Sequence, residues 1–195
     1  MACTEIDTKE HIFKIAAQLF AEKGFNGVSM RELSEHSGVS KPTIYYHFGS
    51  KEGIYRALLE AGIEHTQADV ARIRALNLTV HDELVEIIKE KFRDCREYPE
   101  FSKFFISVHM SIEKLTFIND FKQRSDEPMM KLERLLQRGV ESGEFRSDID
   151  IKMAADLLGS TILFHIWRLM ESKAVDDSDQ LAEKIVDTLF KGLRK

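Results

Sequence analysis

The chain has 195 residues, 43% of them hydrophobic and 31% charged, with a net charge of −5. That excludes a disordered or fibrous chain and leaves room for one or two domains with real cores, helical ones because there are only 3 prolines and 10 glycines. The two cysteines, Cys3 and Cys95, form no CxxC pair, so neither a disulfide framework nor a zinc site is expected, and the polar N-terminus reads as no secretory leader.

A first helix is predicted from about Thr8 to Lys23, with Ile12, Phe13, Ala16 and Phe20 inward and Gly24 as its stop. Ser29 then reads as an N-cap, with Glu32 three residues on completing a capping box. The second helix buries Leu33 and ends at Gly38, where glycine can take the left-handed conformation. Val39 fills the space before the next helix. Ser40 is a second N-cap, and Pro42 falls in the first turn, where its missing N–H costs little. Ile44 and Phe48 lie four apart and share a buried face, which leaves Lys41, Thr43, Tyr45, Tyr46 and His47 largely outside. No carboxylate occurs between Glu35 and Glu52, as a phosphate-facing surface requires. Gly49 and Ser50 break the helix, and Lys51 stands at the N-terminus of the fourth, a place that suits a DNA phosphate. This is the layout of a helix-turn-helix that lays its second helix in the major groove. Acids and bases balance up to Leu58, so the negative charge lies wholly beyond it. A neutral head with a local basic surface can bind DNA while an acidic body keeps the chain soluble.

The fourth helix starts at Lys51, carries Ile54, Leu58 and Ile63 inward, and turns polar from Glu64 to Arg74. Thr79 or Asp82 opens a fifth, which ends before Pro99. Helices from Glu100 to about Ile112 and from about Asp126 to Glu141 follow, with a short one possible over Glu113 to Arg124. The last two span Ile151 to Ser172 and Ser178 to Leu193. Lys152, Asp156, His165 and Arg168 break the first of these too often for a membrane span.

The run from Ala16 to Gly27 (AAQLFAEKGFNG), then VSMRELSEHSGVS, then Lys41 to Leu59 (KPTIYYHFGSKEGIYRALL), resembles the TetR-type, or tetracycline-repressor-like, transcriptional regulators. It covers about the first third of the chain. GEFRSDID, Gly143 to Asp150, followed by two helices is similar to that family's usual ending. The resemblance implies an all-α fold of about nine helices. Residues 1–52 would be a three-helix DNA-binding domain, and 53–195 an effector-binding and dimerisation domain. It also places Arg31, at the start of the second helix, on the DNA side. The DNA-contacting set is then Arg31, Ser40, Lys41, Pro42, Thr43, Tyr45, Tyr46, His47 and Lys51.

The middle of the chain carries more Phe and Met than a small bundle needs, and soft side chains of this kind suit a cavity for an apolar ligand. The expected lining is Phe92, Phe105, Met110, Phe121, Met130, Phe164 and Trp167, with His109 or His165 as a polar anchor. A lone histidine on an apolar helix is more often a hydrogen-bonded core residue, and a metal site is not expected. Asp176, Asp177 and Asp179 lack the glycine and glutamate of a calcium loop and read as the cap of the last helix. The helix from Ile151 is apolar almost all round and needs cover on several sides. With the last helix it offers a two-fold subunit interface of Ala155, Leu158, Ile162, Ile166, Leu181, Ile185 and Leu189, as the resemblance also implies.

The expected function is DNA-binding regulation of transcription in the cytoplasm. A homodimer would repress from a palindromic operator and be released by a small hydrophobic or amphipathic effector, with no cofactor and no membrane partner. The alternatives are a small helical enzyme or a dimeric adaptor using the same pocket. The sequence holds no Gly-rich phosphate loop, HExxH or GxSxG motif for the former.

Overall fold

Helix boundaries follow from which side chains complete the unpaired backbone groups at each end. A computed structural model of the chain describes residues 5–110, 132–171 and 178–193. Among these residues there are nine helices and no strand: α1 (Glu5–Lys23), α2 (Met30–Ser37), α3 (Lys41–Phe48), α4 (Lys51–Arg74), α5 (Val80–Glu97), α6 (Pro99–Met110), α7 (132–141), α8 (Ile151–Glu171) and α9 (Ser178–Leu193). The short helix expected over Glu113 to Arg124 lies outside the described residues, as do Phe121 and Met130.

The predicted caps of α2 to α5 are present, while Asp176 and Asp177, expected to cap the last helix, lie outside the described residues. Ser29 accepts from the Glu32 N–H at 3.1 Å, Ser40 from Thr43 at 3.4 Å, Ser50 from Gly53 at 2.9 Å and Thr79 from Asp82 at 3.1 Å. Gly38, at φ 67° and ψ 8°, ends α2 in the left-handed conformation. The Glu32 carboxylate does not serve the cap of α2; it pairs with Lys23 at the end of α1.

The helices pack as two compact units that interleave along the chain. The first holds α1 to α3, α4 as far as His65, and α6; the second holds the rest of α4, α5 and α7 to α9. This packing division differs from the expected one at 52/53, because α6 lies along α1. The core of the first unit is aromatic. Phe20, Tyr55 and Phe104 are buried, with Phe20–Tyr55 and Tyr55–Phe104 ring centroids 4.9 and 5.0 Å apart, edge to face. Ile12, Ala16, Leu33, Ile44, Ile54 and Leu58 close around them. The core of the second unit is mostly aliphatic, from Leu84, Ile88, Leu136, Ala155, Leu158 and Val186, with Phe92, Phe145 and Phe190.

Candidate nucleic-acid interface

Leu33 on α2 and Ile44 on α3 are fully buried, so each helix has a fixed inner face and therefore a fixed outer one. The turn between them is tied by side chains. Ser34 donates to the Val39 carbonyl at 2.7 Å, Ser37 donates to the Leu33 carbonyl at 2.6 Å, and the Val39 N–H donates to Ser37 at 3.2 Å. On α3, Ser40, Lys41 and Pro42 are exposed, Tyr45 is 47% exposed and Tyr46 76%. Thr43 and His47 are half-buried. The Thr43 hydroxyl lies 2.8 Å from that of Ser40, and the His47 ring packs edge-on against Tyr46 at 5.2 Å. Arg31 projects from the first turn of α2 and pairs with Glu35, at 3.4 Å, both side chains being exposed. Such a pair contributes little and is readily exchanged for a phosphate or a base edge.

Lys51 begins α4, as expected, and its side chain is engaged within the fold. Its ammonium donates to the backbone carbonyls of Phe25 and Val28, both at 2.8 Å, and stands 4.3 Å from the centre of the Phe25 ring. Both partners precede it by more than twenty residues, so no local spacing in the sequence could have revealed them.

The residues expected around a ligand scatter. Phe92 is fully buried in the core of the second unit. Phe105, on α6, lies against Gly62 of α4 so closely that a Cβ there would come within 1.9 Å of its ring. His109 is exposed and its Nδ1 stands 3.0 Å from the Phe105 carbonyl, within its own helix; Met110 is exposed. Phe164 and Trp167, 52% and 46% exposed, stand together on the outside of α8 with ring centroids 6.0 Å apart. Burial, with Arg168 adding to it, holds the His165 imidazole below its usual pKa, so it is neutral near pH 7. A shallow groove of about 410 Å³ between α7 and α8 is lined by Glu133, Arg134, Gln137, Ile151 and Lys152, none of them in the expected set.

The residues expected at a subunit surface turn into the chain's own core. Ala155, Leu158 and Ile185 are buried in the unit's own core, and Ile162, Ile166, Leu181 and Leu189 are half-buried against it. The apolar face that stays exposed is Met153, Leu157, Phe164 and Trp167. A helix apolar almost all round gives no periodic signal for which stripe turns inward.

Two capped helices, a glycine turn, a buried plug on each helix and a second helix free of carboxylates define a helix-turn-helix DNA-binding domain. Residues 12–58 match the family model for bacterial regulatory proteins of the tetR family. Over 190 residues the chain is 25% identical to the HTH-type transcriptional repressor AcnR of Corynebacterium glutamicum, covering 95% of this chain and 94% of AcnR. Its fold is similar to that of the ketosteroid transcriptional regulator KstR2 of Mycobacterium tuberculosis, with a TM-score of 0.81 at 18% identity over 96% of this chain and 95% of that one. It is also similar to AibR, solved with isovaleryl coenzyme A and operator DNA, with a TM-score of 0.71 at 18% identity over 94% and 98% of the two chains. The chain is a DNA-binding transcriptional regulator, similar to the tetR family through its DNA-binding domain. Among the described residues no helix is long and apolar enough to cross a membrane.

Proposed function

We propose that the protein is a cytoplasmic repressor that binds a palindromic operator as a homodimer and leaves it when a small apolar or amphipathic effector binds. The observation that carries this reading is the outer face of α3. Lys41, Tyr45 and Tyr46 stand in solvent on a helix that carries no acid, while Ile44 anchors the helix from behind. Lys41 and Thr43, with Arg31 from α2, would reach base edges; Tyr45, Tyr46 and the Ser40 hydroxyl would hold phosphates. A two-fold dimer would present two such faces about 34–36 Å apart, or a multiple of that. The exposed stripe on α8 supports the dimer: Met153, Leu157, Phe164 and Trp167 follow at intervals of 4, 7 and 3 residues, the spacing of a helix–helix seam. AcnR is named a repressor, and AibR was solved with an acyl coenzyme A; both support repression and an effector with an apolar part. An effector that favours another spacing of the two faces would weaken operator binding by its differential affinity, about 1–3 kcal/mol.

The test is selection of duplexes from a randomised pool by the wild-type protein, followed by a mobility shift at nanomolar protein. An enriched inverted repeat is the expected result. Enrichment of nothing, or of a single unrepeated half-site, would sink the dimeric reading. Acyl coenzymes A of graded chain length are then added to the complex. Release of the duplex together with a raised Tm identifies the effector class, since a ligand of the native state must stabilise it.

A further inference from the structure

We infer that Lys51 is a positioning residue for DNA recognition: it pins the α1–α2 loop and thereby sets the first turn of α2, from which Arg31 projects. The inference rests on the reading that Arg31 and α3 face DNA. A cation in the first turn of a helix is disfavoured by the helix dipole, so Lys51 needs partners that outweigh that cost. The structure supplies two carbonyls at 2.8 Å, from Phe25 and Val28, and the face of the Phe25 ring at 4.3 Å. Turning toward a phosphate would break both hydrogen bonds and leave two loop carbonyls to find other donors.

The loop so held is short and closely fitted. Gly24 opens it at φ 67°, and a Cβ on Gly27 would come within 2.2 Å of the Lys23 carbonyl oxygen. The Val28 carbonyl that Lys51 holds is followed directly by Ser29, the N-cap of α2, and Arg31 comes two residues later. From the other side, Lys23 pairs with Glu32 on the same first turn. Lys51 and Lys23 thus fix the start of α2 from α4 and from α1. A base-reading arginine needs this fixity, because two-pronged contact with a guanine edge tolerates little rotation of its helix.

The experiment uses the full-length protein and the duplex that the wild type selects. Binding is measured over a series of KCl concentrations for the wild type, Lys51→Met, Lys51→Gln, Arg31→Ala and the double variant Lys51→Met with Arg31→Ala. A positioning role predicts that Lys51→Met lowers Tm, weakens binding, and leaves the slope of log affinity against log salt at the wild-type value. Discrimination at the base pair where Arg31→Ala loses it should fall about tenfold in Lys51→Met as well. The double variant should then bind little worse than Lys51→Met alone. Lys51→Gln, which keeps an N–H donor without the charge, should retain more affinity than Lys51→Met at an unchanged slope, and it serves if the methionine variant fails to fold. A slope that flattens by about 0.9 in Lys51→Gln, the release expected for one lost phosphate contact, overturns the inference. So do effects of Lys51→Met and Arg31→Ala that simply multiply. If the wild type selects no duplex at all, the DNA-binding reading fails and the inference fails with it.

Discussion

The two units are held together in different ways. In the first, rings do the holding: Phe20, Phe25, Tyr55, Phe104 and Phe105 form a chain of edge-to-face and stacked contacts with centroids between 4.9 and 6.1 Å apart. The second has an aliphatic core, but polar bridges tie its helices across the surface. Arg72 of α4 reaches Glu90 of α5 at 2.9 Å, and Arg138 of α7 donates to the buried Glu83 at 2.9 Å, with Arg74 at 3.7 Å. Lys89 of α5 reaches Glu183 of α9 at 3.0 Å. α4 shows both styles in one helix. Its first half is buried through Ile54, Tyr55, Leu58 and Leu59, while its second half, Ile73 apart, is held largely by ions. Close-packed aromatic surfaces resist small displacements, whereas an ion pair with an exposed carboxylate, such as Lys89–Glu183, can exchange partners at little cost. A DNA-reading head gains from the first property, and a part that must answer to a ligand gains from the second.

The largest effect should come from the rings. Phe20→Ala removes the centre of the aromatic chain and should cost about 3–5 kcal/mol in chemical denaturation, with loss of DNA binding. A cost below about 1 kcal/mol would show that the first unit is not held as described.

The next effect is on assembly. Leu157→Asp lies on the exposed stripe of α8 and should leave helix content and Tm near wild type while turning the dimer into a monomer in sedimentation. Ala155→Asp, two residues away but fully buried, should unfold the second unit. If the two substitutions act alike, the inner and outer faces of α8 have been assigned wrongly. Trp167 is the chain's single tryptophan and half-exposed, so its emission should shift to the red as the protein is diluted below its dimer dissociation constant.

How far the sequence reached follows from the range of each interaction. Caps and turns are local, so Ser29, Gly38, Ser40, Ser50 and Thr79 were legible, and with them nearly every helix boundary described. The outer face of α3 was legible for the same reason, since Ile44 and Phe48 fix it by spacing alone. What failed was long-range or ambiguous in period. The Lys51 carbonyl partners, the place of α6 along α1 and the burial of Glu83 depend on chain segments far apart. The inward stripe of α8 could not be read because every stripe of it is apolar. Phe164 and Trp167, expected to line a cavity, stand exposed, and Ala155 and Leu158, expected at an interface, are buried in the unit's own core.

A smaller effect separates binding from folding within the first unit. Tyr46, 76% exposed, takes no part in the core, so Tyr46→Ala should leave Tm unchanged. Affinity for the selected duplex should fall about tenfold, the loss expected of one good contact. A drop in Tm of several degrees would place Tyr46 in the fold rather than at the DNA.

The smallest expected effect belongs to a polar bridge of the second unit, and it should depend on pH. His81, near the start of α5, has Nδ1 2.9 Å from the Asp82 carboxylate and Nε2 3.0 Å from Asp187 of α9, with the Phe190 ring edge-on at 4.9 Å. Partial burial disfavours the charged imidazole, but the hydrogen bonds to Asp82 and Asp187 outweigh it and raise the His81 pKa above its ordinary value. The folded pKa therefore exceeds the unfolded one, about 6.5, and the charged bridge stabilises fully below that pH. Its contribution is lost as the pH rises through the folded value. The Tm of the wild type should thus exceed that of His81→Gln by a degree or so near pH 6, and the gap should close on the alkaline side of neutrality. Trp167 sits in the same unit, so melting followed by its fluorescence reads this part of the molecule. A gap that widens with rising pH would mean that His81 holds α9 as a neutral ring, and that the second unit is less ionic in its bonding than its geometry indicates.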